Sequence, residues 1–142
     1  MPPTNDSALS SALRISVMRL SRRLRAERSD TALTLNQLSA LAILDRHGSL
    51  SLGELAAHER VQPPSMTRTV DCLQDLGLIT RTANATDRRQ VVIAISAAGV
   101  HLLTEDRRRR DAWLACRLRE LSPAERDVLR AAAPILERWA QA

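Results

Sequence analysis

Leu9, Leu13, Val17, Leu20 and Leu24 recur at intervals of three and four residues. That spacing draws one apolar stripe along a helix over about 8–26 and leaves its other faces to Arg14, Arg19, Arg22, Arg23 and Arg25. Such a stripe packs either on its own domain or on a second subunit, and the pattern is the same for both. Further helix starts are marked by caps. Thr34-Leu-Asn-Gln37 has the capping-box pattern and opens a run through Leu38, Leu41, Ile43 and Leu44 that His47-Gly48 ends, the glycine suiting a left-handed residue past the helix. Ser51-Leu-Gly-Glu54 is a second box and opens a short helix with Leu52, Leu55 and Ala56 inward. Ser96 caps a longer helix from about 97 to 121. Ser122-Pro-Ala-Glu125 is a third box, and its helix carries Val128, Leu129, Ala132, Ile135, Leu136 and Trp139, with Pro134 expected to kink it.

Between Leu78 and Ile95 the period changes. Leu78-Ile-Thr-Arg81 and Val91-Val-Ile-Ala-Ile95 are rich in β-branched residues, and the stretch between them is polar, so a two-stranded hairpin is expected. Just before it, residues 51–76 read as a helix-turn-helix. Val61 and Gln62 make the turn, and Pro63 and Pro64 begin the second helix, where prolines are tolerated because first-turn N–H groups have no helical partner. Met66, Val70, Leu73 and Leu76 form the expected buried stripe, and Gly77 ends the helix. Ser65, Thr67, Arg68 and Asp71 lie off that stripe and can face a groove. The fold class is therefore mainly α: a winged helix-turn-helix with flanking helices. One helix suits a DNA major groove and the hairpin suits the adjoining minor groove.

The chemistry of those positions is specific. Arg68 can grip guanine O6 and N7 with two parallel hydrogen bonds, while Ser65 and Thr67 can serve bases or phosphates. At the hairpin tip, Asp87 stands two residues from Arg89, with Arg88 between. A carboxylate there can hold a guanidinium in one rotamer, which reduces the entropy lost on entering a narrow minor groove. The bland reading is a surface ion pair contributing little.

Composition narrows the partner. A formal charge of +5 suits an anionic surface, and all 21 basic residues are Arg, a bias that a GC-rich genome also produces. Phe and Tyr are absent, so the stacking platforms of single-strand or RNA binding are missing and duplex DNA is the better fit. No secretory signal or membrane-length apolar run is visible, and Cys72 and Cys116 lie far apart, which points to a reduced, cytoplasmic protein. No phosphate-cradling glycine loop, nucleophile elbow or paired-His motif is present, so no enzymatic activity is expected. His47, His58 and His101 read as isolated, and neither a metal nor a cofactor is expected. Trp113 and Trp139 read as core or interface residues, Cys116 as packed in the long helix, and Arg107–Arg110 as a solvated face with local ion pairs to Glu105, Asp106 and Asp111.

The segment from Ser51 to Gly99 resembles the MarR (multiple antibiotic resistance regulator) family of bacterial transcription factors. The resemblance rests on L-x-E-L-A, S-M-T-R-T-V-D-x-L, G-L-I-T-R, D-R-R-Q-V-V-I-A-I-S and A-A-G, and the flanking helices match the family layout. It implies a single domain over 1–142, with a winged helix-turn-helix at 33–96 and dimerisation helices at 1–32 and 97–142. It implies a homodimer on a palindromic operator, usually as a repressor, released by a small phenolic or anionic effector. By the same pattern Arg89 is the minor-groove residue with Asp87 as its holder, and Ser65, Thr67 and Arg68 take the major-groove positions. Two departures stand out. Gln62-Pro63-Pro64 replaces the small hydroxyl cap common at that helix start, so Gln62 and Pro64 meet DNA differently. Cys72 stands where a basic residue is frequent. Two alternatives remain: a low-specificity architectural DNA-binding protein, and a thiol-based redox-sensing regulator. Relatives that sense oxidants carry the reactive Cys near the N-terminal helix, and this chain has none before position 72.

Overall fold

A computed structural model describes residues 5–27 and 33–142. In chain order these form α1 (Asn5–Ala26), α2 (Leu35–His47), β1 (Leu50–Ser51), α3 (Leu52–Glu59), α4 (Pro63–Asp75), β2 (Ile79–Ala83), β3 (Val91–Ile95), α5 (Ala97–Arg119) and α6 (Pro123–Ala140). Residues 29–107 make one compact unit, and residues 1–28 with 108–142 make another. Among the described residues no helix is long and apolar enough to cross a membrane.

The 29–107 unit is a winged helix. Its core is drawn from α2, α3, α4 and one face of the sheet, with Leu41, Leu44, Leu55, Val70, Leu73 and Ile93 almost fully enclosed. The caps that start these helices form as the sequence predicts. Gln37 N–H donates to Thr34 Oγ1 at 3.2 Å while Thr34 N–H donates to Gln37 Oε1 at 3.0 Å. Glu54 and Ser51 make the same reciprocal pair, both bonds 3.2 Å. Each box satisfies two of the amides that a helix start leaves without partners. Gly48 takes a positive φ of 78° past α2, but its ψ of −158° lies in the extended glycine-only region and not in the left-handed helical one. Arg60 (φ 55°, ψ 41°) supplies the left-handed cap of α3, a role the sequence does not advertise in a non-glycine residue.

The sheet has three strands in the order β1-β3-β2, all antiparallel, where the sequence led us to expect two. Leu50 pairs with Ile93 and Ser51 with Val92, so β1 covers the other edge of β3. Two residues carry no readable period, and Ser51 serves twice, as strand and as N-cap, because both roles need the same extended backbone. Leu76 also departs from expectation. It is 55% exposed because α4 ends at Asp75 and the positive φ of Gly77 turns the chain, so Leu78 takes the buried position instead. α5 likewise ends at Arg119, two residues early.

In the other unit, Ser122 and Glu125 form the third capping box, and α6 continues through Pro134. α6 contains no buried residue. Cys116 is exposed and not packed, since it lies on an open face of α5. Trp113 is half-buried, with the guanidinium carbons of Arg23 and Arg117 at 4.8 and 5.3 Å from its ring. Within the 29–107 unit, Arg107 reaches Asp45 on α2 at 3.0 Å, a long-range pairing that the sequence did not suggest, and Asp106 is buried. His47 and His58, isolated in sequence, stack at 4.3 Å between ring centroids because α2 and α3 lie side by side. Among the described residues no group of three or more His, Cys, Asp or Glu is placed to hold a metal ion.

Candidate nucleic-acid interface

α4 turns Met66, Val70 and Leu73 into the core, which obliges the residues half a turn away to face outward. Ser65 and Arg68 are exposed, and among the described residues no partner is recorded for the Ser65 hydroxyl or the Arg68 guanidinium. Thr67 is half-buried and its hydroxyl donates to Pro63 O at 3.0 Å. In that rotamer Thr67 Oγ1 can only accept a further bond, which excludes donation to a phosphate and allows acceptance from a base amine.

The start of α4 is unusual. Gln62 is its N-cap but makes no side-chain cap bond, and Pro63 and Pro64 have no N–H at all. The next amides, Ser65 and Met66, both donate to Gln62 O, at 3.1 and 3.3 Å. Helix N-termini ordinarily bind phosphate through free amides. Here the amides past Gln62 are missing or taken, so an anion at this end meets chiefly side chains, those of Gln62 and Ser65.

The wing leaves the core at Gly77 and returns at Ser96. Ser96 Oγ donates to Gly77 O at 2.6 Å and accepts from Gly99 N–H at 3.1 Å, so one hydroxyl ties the end of α4 to the start of α5. β2 and β3 pair from Ile79↔Ile95 to Ala83↔Val91. The loop beyond is closed on itself: Asn84 N–H donates to Gln90 O at 2.8 Å, and Asn84 Oδ1 accepts from the amide and hydroxyl of Thr86, each at 3.0 Å. At the tip Asp87 accepts the Arg89 backbone N–H at 3.0 Å, and Gln90 N–H donates to Asp87 O at 3.0 Å. The expected hold on the Arg89 guanidinium is therefore replaced by a hold on the Arg89 main chain. A short Asp side chain closes the turn more readily than it reaches the end of an Arg two residues on. Arg88 and Arg89 are exposed, and among the described residues their guanidinium groups have no recorded ion pair.

Sequence reasoning missed Asn84, Thr86 and Gln90, which shape the tip, although Asn at a turn start was a readable signal. It also missed that Asp71 is paired: Arg81 on β2 donates to its carboxylate. Cys72 is half-buried, and Gln37 Nε2 lies 3.1 Å from its sulfur.

A helix-turn-helix in which the second helix bears unpartnered donors, followed by a wing with two unpaired arginines, defines a DNA-binding winged helix. A match to the MarR family spans residues 33–91. The chain is 45% identical over 132 residues to an HTH-type transcriptional regulator of Mycobacterium tuberculosis, covering 93% of this chain and 92% of that one. It is 36% identical over 106 residues to the HTH-type transcriptional repressor MdtR of Bacillus subtilis, covering 75% of this chain and 66% of that one. A solved structure of a putative transcriptional regulator from Pseudomonas aeruginosa superposes with a TM-score of 0.89 at 35% identity, covering 99% of both chains. The chain belongs to the MarR family and is a DNA-binding transcriptional regulator, not an enzyme.

Proposed function

We propose that this regulator is a homodimeric, ligand-responsive repressor of the cytoplasm that binds a palindromic operator, with α4 in the major groove and the wing in the adjoining minor groove. The observation that carries this reading is that Arg68 on one side and Arg88 and Arg89 on the other are exposed from one compact unit without protein partners. Arg68 reads a guanine edge, Ser65 contacts bases or backbone, Thr67 accepts from a base amine, and Gln62 and Pro64 meet the strand where the helix begins. Arg89 enters the minor groove, Arg88 attends the phosphates, and Asp87 shapes the turn that presents them. Residues 33–96 carry DNA contact, and 1–32 with 97–142 pair the subunits. The name of MdtR, a repressor, supports that sign of regulation. A small phenolic or anionic effector releases the operator, and no cofactor takes part.

The test begins with selection of a preferred duplex from a random pool by the full chain. The selected duplex contains two half-sites roughly 10 base pairs apart, centre to centre. It binds about 10³-fold or more tightly than scrambled duplex. R68A loses about 1–3 kcal/mol and relaxes one base position. R89A weakens binding and flattens preference for A·T-rich flanks. Equal affinity for selected and scrambled duplex overturns this reading in favour of an architectural role.

A further inference from the structure

We propose that the Asp71–Arg81 ion pair is a strut that fixes the wing against α4, so that reading in the two grooves is mutually dependent; this rests on the DNA-contact reading above. Asp71 lies three residues beyond Arg68 and so on the same outward face of α4. An unpaired carboxylate on that face repels phosphate. Here it accepts from Arg81 of β2, ten residues further along the chain. Strand alternation explains the reach. Ile79 is buried against the core, so Arg81, two residues on, projects from the same sheet face, and its register partner Ile93 is buried there too.

The wing thus has two ties to α4 at different heights. Its base is held where Leu78 N–H donates to Leu73 O at 2.9 Å and Ser96 Oγ to Gly77 O at 2.6 Å. Asp71–Arg81 is the outer tie, and no other side-chain bond between α4 and the wing strands is recorded among the described residues. Beyond it β1 adds only the Ser51↔Val92 pair on the far edge of β3, and the ribbon then runs on to Arg88 and Arg89 as two strands alone. Two-stranded ribbons are weakly ordered by themselves and twist freely. Without the outer tie α4 holds the wing only at the base, β1 grips only the far edge of β3, and the β2 side of the ribbon is free to move so that Arg68 and Arg89 lose their fixed separation.

An ordinary exposed ion pair predicts the opposite sign for one variant, which makes the idea testable. D71N removes a negative charge from the DNA-facing surface. As a charge effect alone it tightens binding to every duplex. As loss of a strut it weakens binding to the selected duplex by roughly ten-fold, within the range of coupling between contacting residues, and leaves scrambled duplex unchanged or tighter. Full-length wild type, D71N, R81Q, D71N/R81Q, R68A and R89A are titrated against the selected and a scrambled duplex, with melting curves and hydroxyl-radical footprints. The proposal expects D71N to melt as wild type, to lose minor-groove protection under the wing, and to be no better than D71N/R81Q. D71N tighter on both duplexes, with R68A and R89A weakened, overturns the strut and spares the contact reading. R68A and R89A both binding as wild type overturns the contact reading and the strut with it.

Discussion

Gly99 opens α5 at a point where a side chain does not fit. A Cβ there would sit 2.7 Å from Ile95 Cγ1 and still closer to the backbone oxygen of Leu78, an atom that cannot rotate away. The crowding arises because Ser96 draws the end of α4, the base of the wing and the first turn of α5 onto one hydroxyl. Gly99→Ala therefore forces apart the junction that carries the wing. Overpacking of a tight site costs about 1–3 kcal/mol, and urea unfolding followed by circular dichroism will show the midpoint fall by a corresponding amount. An unchanged midpoint contradicts the close approach. In the sequence Gly99 was legible only as a letter of a motif. The atom that makes it necessary belongs to Leu78, twenty-one positions earlier. Partners of charged residues were hidden for the same reason. Asp71 and Arg81 meet because α4 and β2 are neighbours, and Arg107 of α5 reaches Asp45 of α2 from 62 positions away, neither of which a local period encodes.

At the scale of the element, what was legible is what is local. All three capping boxes involve residues three apart, and all three form. The two wing strands were visible from their β-branched runs, but β1, with two residues, had no pattern to show. The box at α6 has a measurable electrostatic consequence. The Ser122 backbone N–H, and then the Ser122 hydroxyl, hydrogen-bond the Glu125 carboxylate and hold its pKa below the ordinary 4.5. A carboxyl whose folded pKa is depressed stabilises the folded state above its unfolded value, and that contribution disappears as pH falls through the folded one. The first turn of α6 is thus predicted to loosen on acidification below 4.5 and not on passing through neutrality. Carbon-detected NMR titration of Glu125 checks this. Ser122→Ala removes the hydroxyl and moves the midpoint up toward the ordinary value, while the remaining backbone bond keeps it from returning fully. A midpoint unmoved by that substitution contradicts the box.

For the whole molecule, the decisive fact is an imbalance between pattern and burial. The 29–107 unit places its apolar residues in a core. The apolar stripe of α6 is instead left in solvent, with Val128 66% and Trp139 61% exposed, and that of α1 likewise, with Leu9 54% exposed. A lone exposed leucine needs no explanation, but two amphipathic helices with their stripes uncovered mark an association surface. Leu13, Val17 and Met18 of α1 and Leu136 and Trp139 of α6 line one groove, which gives that surface a shape. Covering a large apolar side chain yields about 1.5–3 kcal/mol, and association consumes about 4–15 kcal/mol, so the surface must bury several such residues at once to hold. A second copy of the chain, as in the homodimer proposed above, would meet that need by symmetry, since each copy brings the same stripes. Leu136→Glu, which puts a charge into the groove, is predicted to shift the chain from dimer to monomer in analytical ultracentrifugation. It should weaken binding to a two-half-site duplex by far more than to a single half-site, because a monomer gains nothing from the second site. Trp139→Ala serves as the gentler companion and should act in the same direction. Neither residue belongs to the 29–107 core, so the winged helix should keep its fold in both variants. If both remain dimeric and keep wild-type preference for the paired half-sites, the stripes are not what joins the subunits.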